Sequence, residues 1–256
     1  MKAVQLKSAQ QIDNIREAGK YLTELLWLMR AASLPGVALI ELEQQTQKYL
    51  DERNLIGSFK GYGGFPANLC LSVNDCVVHG IPDETILQEG DLLKIDAGVT
   101  YQWGIADSAI SLVVGGNEHN PQGAKLIKAT KGALDEGLVH LKHNGSLYAF
   151  WKTVWGYLEQ RGFSVIKNLT GHGVGIDVHE GPYIYNRPNA KVKGMAFETN
   201  MVVALEPITA ITSNSFIEKP GNAWNLYTEQ GDLGAQREYT VVITPDGHEI
   251  LAGITD

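Results

Sequence analysis

Apolar positions along the first half of the chain predict two helices followed by strands. Apolar residues recur at helical spacing over 9–32, after the capping residue Ser8, and again over 38–53. Segments that are rich in β-branched and apolar residues and bounded by glycine then predict three strands, at 68–74, 91–101 and 104–115.

The second half repeats this order. Helical patterns cover 121–143 and 146–162. Strand patterns follow at 163–173, 200–212 and 237–251. Because helices and strands are mixed in this way, we predict an α+β fold, a two-layer α/β arrangement in which helices cover a central, antiparallel-rich sheet.

The repeated order indicates an internal duplication. We interpret it as two pseudo-repeats, about 8–115 and 120–250, although the two halves share no visible sequence identity. No linker rich in glycine, serine or proline separates them, so we expect one domain over residues 1–256.

Composition narrows the class of protein. The chain of 256 residues carries a net charge of −8, which argues against a nucleic-acid-binding surface. Two cysteines, Cys70 and Cys76, are too few for a disulfide framework and are expected to be reduced. No stretch is apolar enough for a signal peptide or a membrane span, so we expect a soluble, cytoplasmic protein.

Asp96 and Asp107 occur in adjoining predicted strands, on either side of a turn at Tyr101 and Gln102. If the strands pair across this turn, the two residues oppose each other with Cβ atoms about 5 Å apart. Both have apolar neighbours, so the carboxylates would repel each other unless one is protonated or a cation lies between them. The hairpin therefore predicts a cation site, the alternative being that one aspartate is an exposed turn residue.

Glu206 and Glu238 occupy similar positions in the second half. Glu206 ends an apolar strand just before Pro207, and Glu238 begins another. A single glutamate at a strand end is usually solvated, but four such carboxylates together with His172 form a more specific set. Carboxylates with one imidazole suit Mn²⁺, Fe²⁺, Co²⁺ or Zn²⁺. Five ligands, four of them able to bridge, suit a pair of ions about 3.5–4 Å apart.

The stretch TGHGVGIDVHEGPY, residues 170–183, places two histidines among glycines that allow the backbone to approach metals and substrate closely. His172 and His179 differ by an odd number, so one regular strand would put them on opposite faces. The glycines must therefore bend or bulge the chain if both imidazoles reach one site. Alone, His179 is also compatible with a capping or surface role, and His79, before a Gly-Ile-Pro turn, with a structural role.

Taken together, these residues resemble the pita-bread metallopeptidases, and most closely the type I methionine aminopeptidases. The stretches that carry the resemblance are GYGGFPANLCLSVNDCVVHGIP (61–82), IDAGVTYQWGIADSA (95–109), GHGVGIDVHEGP (171–182) and AQREYTVVIT (235–244). It covers nearly the whole chain and implies a pita-bread fold with pseudo-twofold halves. It also implies removal of the N-terminal methionine from nascent proteins and peptides by a metal-activated water, with a small second residue favoured.

The resemblance implies a role for each of the five ligands. Asp96 would chelate one of two divalent ions, which could be Co, Mn, Fe or Zn. Asp107 and Glu238 would bridge both ions. His172 and Glu206 would hold the other ion.

Two further histidines would act on the substrate. By the same resemblance, His79 and His179 would hydrogen-bond the substrate and stabilise the tetrahedral intermediate, without binding metal. Glu206 would also move a proton between the attacking water and the leaving amine.

The specificity pocket follows from the resemblance by position. Its residues would be Phe59, Tyr62, Phe65, Cys70, Val178 and Trp224. Aromatic and sulfur-bearing walls favour a thioether side chain, although the same aromatics are compatible with an ordinary core. The chain departs from the usual pattern at Phe59, where a small residue or cysteine is common, at Gly63, where histidine is common, and at Val178, where phenylalanine is common.

Two alternatives to this function stay open. An Xaa-Pro aminopeptidase or prolidase shares the five ligands but normally carries an additional N-terminal domain, and the motifs HGIP and AQ favour the methionine enzyme. A non-catalytic binding protein on the same fold typically lacks some of the ligands. As partners we expect the N-termini of nascent polypeptides or peptides, close to the ribosome, with no nucleic acid and no membrane, and we expect a monomer.

Overall fold

A computed structural model of the protein describes residues 4–255, with every side chain in that range except that of residue 191. Four α-helices lie in this part of the chain: α1 Ala9–Ala32, α2 Leu39–Glu52, α3 Pro121–Gly137 and α4 Leu147–Glu159. All four were predicted. Ser8 caps α1 as expected, since its hydroxyl accepts from the backbone N–H of Gln11, whose side chain accepts from the N–H of Ser8. No helix among the described residues is both long and apolar enough to cross a lipid bilayer.

Of the first-half strands, the second, fourth and fifth lie close to the three predicted ones, whereas the first and third are short strands that were not among the predictions. The five strands are β1 Ile56–Gly57, β2 Leu69–Val73, β3 Cys76–Val78, β4 Leu92–Tyr101 and β5 Gly104–Val113.

The second half is more divided than predicted. Its strands are β6 Ser164–Val165, β7 Gly171–Gly173, β8 Glu180–Ile184, β9 Val202–Leu205, β10 Ile208–Ala210, β11 Phe216–Glu218, β12 Leu226–Thr228, β13 Gly234–Gln236, β14 Tyr239–Ile243 and β15 His248–Ala252. Each of the three long strands predicted for this half is divided into two short strands. In 200–212 the break falls at Glu206 and Pro207, because proline has no N–H for a ladder.

Every strand pair among the described residues is antiparallel, as predicted. In the first half, β4 pairs with β5 along one side and with β2 and β1 along the other. In the second half, five strands run in the order β15-β14-β9-β7-β8. Two smaller sheets, β13-β10-β6 and β11-β12-β3, complete the set.

The helices cover one side of the strands and leave the other side for the site. Helix α1 packs on β4, β5 and β15. In β4, Leu93 and Ile95 are fully buried in the core that includes α1. Since side chains alternate along a strand, Lys94 and Asp96 point to the opposite side. Burial of one face of β4 thus directs a carboxylate away from the helices.

Candidate metal centre and substrate cavity

The hairpin of β4 and β5 carries two of the candidate ligands, in a register that differs from the prediction. Its turn is formed by Gln102 and Trp103, with φ of 44° and 69°, one position later than expected. Asp107 therefore lies opposite Gly98 and not opposite Asp96, so the predicted direct pairing was wrong. The residue opposite Asp96 is Ala109, two positions from Asp107. Because side chains alternate along a strand, both aspartates still lie on one side of the hairpin, as diagonal neighbours.

The second-half carboxylates are brought together by the pairing of β9 with β14. Leu205 lies opposite Tyr239, so the residues just beyond, Glu206 and Glu238, leave the two strands at the same end. His172, on β7, lies opposite Ala204 of β9 and approaches from the neighbouring strand.

Hydrogen bonds to backbone groups join the two halves of the chain at these ligands. The N–H of Glu238 donates to the carbonyl of Ala109 at 2.9 Å. The hydroxyl of Thr240 accepts from the N–H of Asp107 at 2.9 Å and donates to its carbonyl at 2.6 Å. Ser108 donates to the carbonyl of Glu238 at 2.7 Å. The site is therefore assembled at the seam between the first-half and second-half sheets.

The candidate ligands converge on the imidazole of His172. Its Nε2 lies 3.3 Å from Oε1 of Glu206 and 3.9 Å from Oδ2 of Asp107. One ligand atom each from Asp107, His172 and Glu238 lies within 4.8 Å of the others. Nδ1 of His172 lies 3.0 Å from the carbonyl of Gly173, and a proton on Nδ1 donated there leaves Nε2 with a lone pair for a metal.

The carboxylates are buried without enough hydrogen-bond donors. One oxygen each of Asp96, Asp107 and Glu238 has no hydrogen-bond partner among the described residues. Burial, followed by the charge of Glu206, raises the pKa of Asp96 to about 8, and burial raises the pKa of Glu206 to about 8. Burial and neighbouring carboxylates raise the pKa of Asp107 and Glu238 well above their usual range. Unpartnered oxygens in a cluster of this kind fit a divalent cation, which would supply the missing charge.

Gln236 organises this cluster, and sequence reasoning did not find it. Its Nε2 donates to Oδ2 of Asp96 at 3.1 Å and to Oε2 of Glu206 at 3.3 Å, which links ligands from the two halves. The sequence feature that could have revealed it is its position two residues before Glu238, because residues two apart in a strand point to the same side.

His172 and His179 reach one site because the chain bulges between them, as predicted. Strands β7 and β8 form a hairpin whose register shifts between His172 and Gly173. The two imidazole centroids are 4.2 Å apart and edge to face. A Cβ on Gly173 would lie 2.1 Å from the carbonyl oxygen of Gly181, so this glycine allows close approach of a neighbouring strand.

His179 is oriented by a residue that we had assigned to the specificity pocket. The hydroxyl of Tyr62 lies 3.0 Å from Nδ1 of His179, and the two rings are 5.1 Å apart. This contact directs Nε2 of His179 away from Tyr62 and makes the tyrosine a positioning group for the imidazole.

A buried ion pair holds the loop that carries His179. The ammonium of Lys7 pairs with one carboxylate oxygen of Glu180, and both side chains are 1% exposed. The other oxygen of Glu180 accepts from the backbone N–H groups of Ile176 and Asp177 at 2.6 and 3.0 Å. Sequence analysis missed this pair because its members are far apart in the chain. The segment before α1, through Lys7, therefore holds the loop that carries His179 in place.

His79 lines the same cavity as the other two imidazoles. It follows β3 with a φ of 59°, a left-handed conformation that is uncommon for a residue with a Cβ. Burial lowers the pKa of His79, which keeps the ring neutral at neutral pH. Its ring packs edge-on against Trp224, with centroids 6.4 Å apart.

All the residues predicted for the site line one cavity of about 100 Å³. Phe59, Phe65, Cys70 and Val178 form a buried apolar cluster on its wall, with Trp224 packed against them. Trp224 meets Phe65 edge to face at 5.2 Å. The wall is thus both a small core and a lining, which reconciles the two interpretations of these aromatics.

The family model for metallopeptidase family M24 matches residues 13–245 of the chain. The chain belongs to this family. Members of the family are metallopeptidases, which agrees with the cluster of candidate ligands formed by Asp107, His172 and Glu238.

Individual proteins of known function or structure are similar to this chain over nearly its whole length. A methionine aminopeptidase of Clostridium acetobutylicum is 34% identical over 249 residues, covering 96% of this chain and 97% of that protein. The structure of a methionine aminopeptidase from Thermotoga maritima matches with a TM-score of 0.93 at 30% identity, covering 98% of this chain and 100% of that one. A prolidase from Pyrococcus furiosus matches with a TM-score of 0.76 at 18% identity, which shows a shared fold. The expected pita-bread fold is confirmed.

Metal-free protein should lose thermal stability as the pH rises from about 4 to about 8. The carboxyls of Asp96 and Glu206 titrate near pH 4 when unfolded and at about 8 when folded. The folded state therefore binds more protons between these values, and its stabilisation is lost as the pH passes the folded pKa. Thermal scans in chelator should show the fall. Glu206→Gln should make it shallower, and an unchanged slope in that variant would contradict the assignment.

Lys7→Met should destabilise the protein by about 3–5 kcal/mol, because it leaves the buried carboxylate of Glu180 without its cation. Urea unfolding of the purified protein measures this change. Lys20→Met is the matched control, since Lys20 forms an exposed i,i+3 pair with Glu17 and its loss should leave the unfolding midpoint nearly unchanged. Equal effects of the two changes would show that burial of the Lys7 pair does not matter.

Proposed function

We propose that this protein is a metal-dependent aminopeptidase that removes the N-terminal methionine from proteins and peptides and favours a small second residue. The observation that carries the proposal is the convergence of four carboxylates and one imidazole beside an apolar cavity wall containing Cys70. Full-length similarity to methionine aminopeptidases supports the choice of substrate.

The donor set supports a pair of divalent ions. Asp96 would bind one ion, Asp107 and Glu238 would bridge, and His172 with Glu206 would hold the second. Such ions lower the pKa of water to about 7 and polarise a scissile carbonyl. Oxygen-rich donor sets of this kind accept Mn, Fe, Co or Zn, so availability would decide which ion is used.

The side chains around the cluster would position the substrate and move its protons. His79, which burial keeps neutral, and His179 would each donate an N–H towards the carbonyl oxygen that becomes negatively charged, and the Tyr62 contact would hold His179 in place for this. Glu206, which lines the cavity beside the other ligands, would take a proton from water and return it to the leaving amine.

The shape of the cavity supports selection at the chain terminus. The wall formed by Phe59, Phe65, Cys70 and Val178 is almost fully buried, so it would enclose one unbranched side chain and exclude water. Aromatic rings favour a thioether by contacts of about 0.3–1.5 kcal/mol. A free α-amine would be held by the carboxylate cluster, which limits cleavage to the first residue.

The two alternatives are less well supported. Prolidases share the fold, but at 18% identity, and the chain covers 65% of the length of the prolidase from Pyrococcus furiosus. A non-catalytic binding protein does not account for four buried carboxylates, three of which have an oxygen without a hydrogen-bond partner among the described residues. A single catalytic domain, a cytoplasmic location, action close to the ribosome and a monomeric state stay predictions.

Purified protein supplied with Mn²⁺ or Co²⁺ should release methionine from Met-Ala-Ser and leave Ala-Pro-Ala intact, because the apolar wall suits a thioether side chain. Chromatography of the products measures both reactions, and excess chelator should abolish the first. Cleavage of Ala-Pro-Ala alone would move the protein to the prolidase function. Cleavage of neither peptide with metal bound would contradict an aminopeptidase.

Asp107→Ala should abolish both turnover and stoichiometric metal binding, whereas His79→Ala should lower kcat by about 10²–10³-fold with metal content intact. The difference arises because Asp107 would bind metal and His79 only the substrate. Turnover assays with metal analysis of the same samples separate the two roles. His143→Ala, at an exposed position, is the control. Loss of metal from His79→Ala would make His79 a ligand, against the proposal.

A further inference from the structure

A second cavity lies away from the candidate metal centre, between α1, α3 and β5. It has a volume of about 110 Å³, and its polar lining consists of Arg30, Ser111, Lys128, Lys131 and Arg237. Arg30 belongs to the last turn of α1, and Lys128 and Lys131 are one turn apart on α3. None of these residues lines the metal cavity.

The charge of this cavity is opposite to that of the chain. The protein has a net charge of −8, yet the lining contains four cationic side chains and no carboxylate. The nearest acid with a defined contact is Asp135, which pairs with Lys131 at 2.7 Å and accepts from Tyr239 at 3.1 Å. Within residues 4–255, Arg30, Lys128 and Arg237 have no carboxylate within 4.0 Å. The lining thus contains three cationic side chains, those of Arg30, Lys128 and Arg237, that are not paired with a carboxylate among the described residues.

Arg237 forms the floor of the cavity and is only 7% exposed. Its Nε and one terminal nitrogen donate to the hydroxyl of Tyr239 at 3.4 and 3.3 Å, which are long contacts to a neutral acceptor. None of its nitrogens is both enclosed and without a partner, so the terminal nitrogen that does not contact Tyr239 is accessible, and the side chain lines the cavity. A buried guanidinium is normally paired with an anion, and the protein does not supply one here.

We propose that this cavity binds a small phosphate-bearing anion. The planar fork of a guanidinium matches the oxygens of phosphate, and flanking ammonium groups add charge without demanding a fixed geometry. Ser111 is not a donor to the ligand, because its hydroxyl donates to the carbonyl of Gln236 at 2.7 Å and accepts from the N–H of Gln236 at 3.0 Å. Recognition therefore rests on the four cations, and a multiply charged phosphate balances them better than a single carboxylate.

The test measures anion binding by calorimetry on the full chain, with metal-loaded and chelator-treated protein in parallel. The probes are inorganic phosphate, pyrophosphate and AMP, which distinguish a free phosphate from the phosphate group of an organic ester. We expect saturable binding of at least one probe at one site, retained after chelation. An anion held by the metals would be lost on chelation.

Charge reversal at exposed positions identifies the site without disturbing the core. Lys128→Glu and Arg30→Glu should each weaken binding about tenfold or more, equivalent to about 1.4 kcal/mol. Lys125→Glu is the matched control, since it makes the same charge change on α3 outside the cavity and should weaken binding less than about threefold because of salt screening. Arg237→Lys keeps the charge but removes the fork, and should also weaken binding.

Three results would overturn the proposal. These are the absence of saturable binding by all three probes, binding that requires the metal-loaded form, and equal losses in Lys128→Glu and Lys125→Glu. The last would indicate general attraction between the protein surface and anions. The proposal does not depend on the aminopeptidase function, so failure of either leaves the other standing.

Discussion

Mutual repulsion among four buried carboxylates is the constraint on which this structure depends. Asp96, Asp107, Glu206 and Glu238 are at most 9% exposed and have too few donors around them. Bringing them together costs free energy that must come from the rest of the fold. Two apolar cores, one under α1 and one under α3 and α4, supply it, and a divalent cation would remove most of the penalty.

The groups that position the candidate ligands and His179 are uncharged hydrogen-bond donors and acceptors. The amide of Gln236 spans a ligand from each half, the carbonyl of Gly173 orients His172, and Tyr62 orients His179. None of these contacts adds a charge to the cluster. The geometry can therefore persist whether the carboxylates carry protons or metal, which is the usual purpose of outer partners at metal sites.

Much of the site was predictable because strand-end carboxylates in apolar surroundings are unusual. Asp96, Asp107, Glu206 and Glu238 stand out in the sequence for that reason, and their convergence followed once the resemblance fixed the fold. The exact register of the β4–β5 hairpin was not predictable. Its turn, Gln102–Trp103, lacks the Asn-Gly signal that marks such turns, although both residues adopt positive φ.

Contacts between distant segments escaped the sequence analysis for a different reason. The pair of Lys7 and Glu180 joins the start of the chain to a loop in its second half, and no local pattern encodes that meeting. Strands β11 and β12, of three residues each, are too short to show a period of two. The pairing of β12 with β3 is what brings the segment containing Trp224 beside His79.

The order of the ligands along the chain has a consequence for biosynthesis. Asp96 and Asp107 come together as soon as one hairpin forms, but Glu206 and Glu238 follow in the other half. On a ribosome that adds about 5–20 residues per second, the two halves of the ligand set are synthesised several seconds apart. With the proposed ligand set, tight binding of an ion would therefore have to wait until the second sheet has been made.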